Sequence, residues 1–163
     1  MLSAPVITAI LWAVILGGLG GALTEIGPWY RELKKPSWQP PDWLFGPAWT
    51  VILGLAAWAA ILAWNAAISD STRLSILIVY GVNFLFHFAW SPLFFKFKRP
   101  DWALFEVIFL WFSIAAMLYV TWNASPTAGL MILPYLLWVS FASVLNAKIV
   151  LLNRPFSGMQ QPQ

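Results

Sequence analysis

Apolar residues in this chain gather into five long runs, about Pro5 to Thr24, Leu44 to Ile68, Leu74 to Phe95, Trp102 to Trp122 and Ala128 to Leu152. Each is close to the roughly 20 residues that carry a helix across a bilayer. Backbone amides cannot stay unpaired in hydrocarbon, so each run is predicted to be a transmembrane α-helix. Three of the four connections are short, which makes sequential neighbours antiparallel. The pattern therefore predicts an all-α integral membrane bundle of five transmembrane helices, one domain over residues 1–163, with a single long connection, a Trp/Pro-rich lid loop at about 25–43.

Composition sharpens this picture. Of the 163 residues 61% are hydrophobic and 9% charged, with a mean hydropathy of +0.76, which is too apolar for a soluble domain of this size. The start from Met1 to Pro5 has no basic residue, so the first run is expected to be a retained helix rather than a cleaved signal. Arg31, Lys34, Lys35, Lys96, Lys98, Arg99 and Arg154 share the side of the lid loop and the C-terminus, with Lys148 near it and Arg73 alone opposite. The excess of positive charge on cytoplasmic loops then places the lid and C-terminus in the cytoplasm and the N-terminus outside. The shortness of the chain favours a bacterial membrane over an organelle.

Nothing about spanning a bilayer demands the stretch WYRELKKPSWQPPDWLFGPAW, from Trp29 to Trp49. It carries Trp29, Tyr30, Trp38, Trp43 and Trp49 among Pro36, Pro40, Pro41 and Pro47. Each proline fixes its own φ and pushes its predecessor toward extended backbone, so the loop is expected to be stiff and non-helical up to Pro41. Large aromatic rings on a rigid frame suit a lid over a flat apolar ligand. An interfacial Trp belt with a turn is the plainer reading.

On the third run Asn83, His87 and Trp90 fall at i, i+4 and i+7 and so share one face. An amide and an imidazole at membrane depth face protein, where they either tie helices together by hydrogen bonds or line a cavity and address a ligand. On the fifth run Pro134, Trp138, Ala142 and either Leu145 or Asn146 share a face, and the small Ala142 leaves room for a guest. Ala13, Gly17 and Gly21, with Gly18 and Gly20 beside them, form a small-residue stripe fit for close helix approach within the bundle or to a second copy. Glu106, one turn inside the Lys96 to Arg99 loop, is expected to snorkel or pair there rather than serve as a buried proton carrier.

Several chemistries are excluded. The chain has no cysteine and one histidine, so disulfides, thiolate sites and multi-histidine metal sites are out, and His87 is at most a single axial ligand to a haem iron. No paired carboxylates, phosphate-cradling glycine motif or Ser-His-Asp arrangement is present. The basic residues follow a membrane face and read as topology, so no nucleic-acid partner is expected. Aromatic walls with a few polar points are the make-up of a small-molecule pocket.

The succession WY, KPSWQPPDW, FGPAWT, HFAWSPLFF, DWALFE and PYLLWVSFASVLN closely resembles the translocator protein family, also called tryptophan-rich sensory proteins or peripheral-type benzodiazepine receptors. It covers nearly the whole chain, and the WxPPxW loop with the PYLxW…LN helix is its specific part. The resemblance implies a five-helix membrane protein, commonly a homodimer, that binds porphyrins such as protoporphyrin IX and haem, and in many members cholesterol or isoquinoline-type ligands. It places Trp29, Tyr30, Trp38 and Pro40 in the lid, Phe45 and Trp49 on the second helix, His87 and Trp90 on the third with Asn83 where relatives often carry Gln, and Trp138 and Ala142 on the fifth. Two departures stand out: His87 occupies a position that is Asn in many members, and the spacing from Tyr135 to Lys148 does not meet the steroid-recognition pattern, so porphyrin is favoured over sterol.

The resulting expectation is a receptor or transporter that binds porphyrins, needs no cofactor, and regulates tetrapyrrole level in the lipid bilayer. The alternatives are light- and oxygen-dependent porphyrin breakdown beside the Trp rings, or a structural or stress-response membrane partner.

Overall fold

The computed structural model describes residues 3–156; the ends of the expected 1–163 domain lie outside them. The elements are α1 (Ala4–Leu23), a one-turn α2 (Pro28–Glu32), a 3₁₀ turn (Asp42–Leu44) running into α3 (Phe45–Ala66), α4 (Asp70–Ser91) running into a π turn (Pro92–Lys96), α5 (Pro100–Ala124) and α6 (Pro126–Asn153). Five of these stretches are long and apolar enough to cross a membrane. The molecule is an all-α integral membrane bundle, with no strand among the described residues.

Local chemistry sets the helix ends. Ser69 and Ser125 accept hydrogen bonds from the amides of Thr72 and Ala128, and prolines open α2, α5 and α6, where a missing N–H costs nothing. The one-turn α2 departs from the expected non-helical loop because Pro28 sits at such a start, behind Gly27. From Leu33 to Pro41 the loop is free of helix. Ser125 alone joins α5 to α6. That hairpin is tight enough that a Cβ on Gly129 would meet Trp122 atoms at 2.7 to 2.9 Å, so glycine is required there.

Around the bundle the order is α1, α3, α6, α5, α4 and back to α1. The core is built on a ridge of alanines, Ala56, Ala59 and Ala63 of α3 with Ala67 just past its end, packed against Ile114, Met117, Ile132 and Tyr135. Cross-ties use polar atoms sparingly: the Tyr80 hydroxyl donates to the Ala56 carbonyl at 2.7 Å, Trp12 Nε1 to the Tyr80 carbonyl at 3.1 Å and Trp111 Nε1 to Ser140 Oγ at 2.8 Å. Val14, Leu85, Phe112 and Leu137 turn outward, as a face solvated by lipid requires.

Candidate functional site: an aromatic cavity under the lid

A cavity of about 470 Å³ lies inside the lid end of the bundle, with walls from all five spanning helices and from Tyr30 and Asp42 of the connection. That volume is in the range of small-molecule sites, about 300 to 1,000 Å³.

Its centre is a set of rings held edge to face. Trp49 meets His87 at 4.8 Å, Tyr135 at 5.9 Å and Trp138 at 6.3 Å between centroids, and Phe45 meets Trp138 at 5.7 Å. Such T-shaped contacts fix the rings without filling the space between them. On the α1 side the wall is glycine. Gly20 and Gly21 line the cavity, and a Cβ on either would meet nothing within 4 Å. The stripe expected to let helices approach closely serves here to leave room; only Gly17 faces a neighbour, Leu53, at an ordinary 3.7 Å.

Below the rings lies a hydrogen-bonded chain whose direction can be worked out. Ser113 Oγ donates to the Leu110 carbonyl at 2.7 Å, so it accepts from Asn83 Nδ2 at 2.9 Å. Asn83 Oδ1 is fully buried and its donor is the Tyr135 hydroxyl at 3.2 Å. Buried acceptors are seldom left unpaired, so that hydroxyl proton is committed, and the 2.6 Å contact between Tyr135 and His87 Nδ1 is made by an Nδ1–H donating to the tyrosine oxygen. Neutral imidazole carries one proton. Nε2 is thereby left with a lone pair, on a side chain that lines the cavity. Trp138, also a wall residue, has a buried Nε1–H with no partner. Among the wall residues Trp138 thus carries an unpaired donor and His87 an unpaired acceptor.

The lid is tied down at two places. The Tyr30 hydroxyl donates to Asp42 Oδ1 at 3.1 Å, Gln39 Nε2 bonds the same oxygen at 3.2 Å, and Lys35 Nζ sits 3.7 Å over the Tyr30 ring. Burial, and after it the Asp42 carboxylate, push the Tyr30 phenol up to about 12. At the other place Asn153 accepts from the Lys34 amide and donates to the Lys34 carbonyl, both at 2.8 Å. The clamp fixes the loop to the end of α6.

Of the residues the sequence singles out, Tyr30, Phe45, Trp49, His87, Trp90, Trp138 and Ala142 line the cavity. Trp29 packs edge-on against Phe94 and Trp38 against Phe141, and these two and Pro40 are not among the lining residues. Asn83 lies beneath, holding Tyr135. Sequence reasoning passed over Tyr135, although a hydroxyl three residues before Trp138 at membrane depth was a usable sign. Asn146 lines the cavity, yet its amide, oriented to satisfy both neighbours, donates to the Pro100 carbonyl and accepts from the Leu104 amide, each at 3.1 Å. It caps the start of α5.

Glu106 corrects an expectation. It neither snorkels nor pairs: it is 8% exposed and neither carboxylate oxygen has a hydrogen-bond partner. The α5 face that buries Ala103, Val107 and Leu110 carries Glu106 inward with them, while Arg99 of the nearby loop is engaged by Asp101 and stacks over Trp102. Tyr135 is buried as well.

Comparison with known proteins agrees with this architecture. The TspO/MBR family matches residues 8–152. The chain belongs to the TspO/MBR family. Among this TspO/MBR protein's relatives, the tryptophan-rich protein TspO of Archaeoglobus fulgidus is 35% identical over 151 residues, covering 90% of this chain and 95% of its own. Protein CrtK of Rhodobacter capsulatus is 33% identical over 141 residues, covering 86% and 88%. The human translocator protein is 31% identical over 119 residues, covering 72% and 70%.

Proposed function

We propose that this TspO/MBR membrane protein is a receptor for porphyrins such as protoporphyrin IX, and for similar flat apolar ligands, and that by holding them it regulates tetrapyrrole level or movement. The observation that carries the reading is the lidded aromatic cavity with the unpaired Trp138 N–H and the His87 Nε2 lone pair. Ring faces supply apolar contact, and the two polar points orient a guest. A porphyrin carboxyl or an isoquinoline carbonyl gives Trp138 its missing acceptor. His87 Nε2 would be the residue atom to hold the iron of an iron porphyrin, and the bound iron would supply a coordination bond there.

The Trp49, Trp90 and Trp138 indoles bring a second reading, photochemical breakdown of the bound tetrapyrrole, because each is an electron donor beside any ring in the cavity. Titrating purified protein with protoporphyrin IX in the dark and then under light separates the two. Saturable quenching of Trp emission in the dark with an unchanged porphyrin spectrum under light supports binding alone, a new absorbing product supports breakdown, and no saturable quenching refutes both. In the membrane we place the lid and the C-terminus in the cytoplasm, because Arg31, Lys34, Lys35, Lys96, Lys98, Arg99 and Arg154 lie at that end and Arg73 alone at the other.

A further inference from the structure

A second hollow lies on the outside of the bundle. Pro47, Ala48 and Val51 of α3 and Pro134, Leu137 and Trp138 of α6 line an apolar groove of about 520 Å³. Val51 is 61% exposed and Leu137 68%, so the groove opens to the hydrocarbon of the bilayer. Trp138 is a wall of this groove and of the inner cavity alike. Its indole is the partition between them.

Resting on the binding function proposed above, we infer that a flat apolar ligand dissolved in the bilayer enters and leaves the cavity sideways, through the seam between α3 and α6, with Trp138 as the gate. The argument compares what each route must break. Opening the lid breaks the Tyr30 to Asp42 hydrogen bond and the two bonds of the Asn153 clamp. Swinging Trp138 breaks none, since its Nε1 has no partner and its neighbours Phe45, Trp49 and Phe141 touch it ring to ring. The backbone beneath the gate also lacks one helical hydrogen bond: Pro134, inside α6, has no N–H to give the Leu130 carbonyl, and it stands one turn before Trp138. A ligand partitioned into lipid meets the groove directly and need not cross the basic headgroup side of the lid.

The test separates rates from equilibrium. Ala48→Phe and, independently, Leu137→Trp fill the groove from opposite helices at residues that do not line the cavity; Leu137 is lipid-facing and accepts bulk without disturbing the core. Protoporphyrin IX is delivered from phosphatidylcholine vesicles to protein reconstituted in the same lipid, and Trp quenching is followed by stopped flow. Association and dissociation should both slow several-fold while the equilibrium affinity stays at the wild-type value. Val14→Trp, lipid-facing on α1, and Asn153→Ala, which releases the lid clamp, should leave both rates unchanged. Wild-type rates in both groove variants, or faster exchange in Asn153→Ala, would overturn the gate while leaving the binding function standing. Failure of wild-type protein to quench saturably would instead remove the binding function and the gate with it.

Discussion

Replacing Tyr135 by Phe removes one oxygen that performs two tasks. It supplies the donor for the fully buried Asn83 Oδ1 and the acceptor for His87 Nδ1–H. His87 can move its proton to Nε2, but Asn83 Oδ1 has Tyr135 as its donor and the neighbouring Ser113 hydroxyl proton is spent on the Leu110 carbonyl. A buried polar atom left alone costs about 1 to 3 kcal/mol, and Tyr135→Phe should destabilise the protein by about that amount. His87→Leu should cost less, since it leaves the Tyr135 to Asn83 bond intact. The isosteric Asn83→Leu removes the stranded acceptor, so Asn83→Leu with Tyr135→Phe together should fall short of the sum of the single changes by about 1 kcal/mol or more, the size of coupling found between residues in one network. Unfolding in mixed micelles by graded denaturing detergent, followed by circular dichroism, measures all four proteins. Additive losses, or a Tyr135→Phe protein as stable as wild type, would refute the directed chain. Ligand chemistry provides an independent readout. With Nε2 turned from acceptor to donor, Tyr135→Phe should weaken ligands that present an N–H to the cavity and spare those that present only acceptors.

Trp138→Phe should leave stability unchanged or slightly higher, because it deletes a buried donor that has no partner, yet lower affinity for carbonyl- or carboxyl-bearing ligands by about 1 to 3 kcal/mol; equal affinities by Trp-quenching titration would show that no ligand uses that N–H. Ala142→Leu should weaken protoporphyrin IX binding while preserving the helical spectrum, overpacking costing about 1 to 3 kcal/mol, and wild-type affinity would take this turn of α6 out of the site. The folded lid favours the neutral Tyr30 phenol, so its share of stability is constant below the unfolded value of 10 and is lost as pH rises toward about 12; the difference in melting temperature between wild type and Tyr30→Phe should hold constant below pH 10 and change only in that window. Ser71→Cys should react with an impermeant maleimide in intact cells and Ser37→Cys should not, both sites being exposed; the reverse pattern would invert the topology.

How far the sequence could be read follows from which physical term decides each feature. The five helices were legible because lipid leaves the backbone no alternative, and run length then fixes each span. Between the spans the constraint relaxes, and the lid expected to be non-helical up to Pro41 instead opens with a helical turn started by Pro28. Periodicity gave the angular position of side chains on α4 correctly, placing Asn83, His87 and Trp90 on one face. It could not give depth. Asn83 is about 6 Å further along the axis than His87, at 1.5 Å per residue, and that step carries it out of the cavity wall and into the hydrogen bonds beneath. The glycines of α1 show a different limit: a small residue serves equally to bring a neighbour close or to leave space, and only the position of α3 decides that a Cβ would meet Leu53 at an ordinary 3.7 Å from Gly17 and nothing within 4 Å from Gly20 and Gly21, so that the stripe leaves space. Glu106 combines both limits. On a helix apolar all round, hydrophobicity does not say which side faces protein, so nearness to basic residues was the only guide available, and it pointed outward. The packing of Ala103, Val107 and Leu110 against the core turned the carboxylate inward instead.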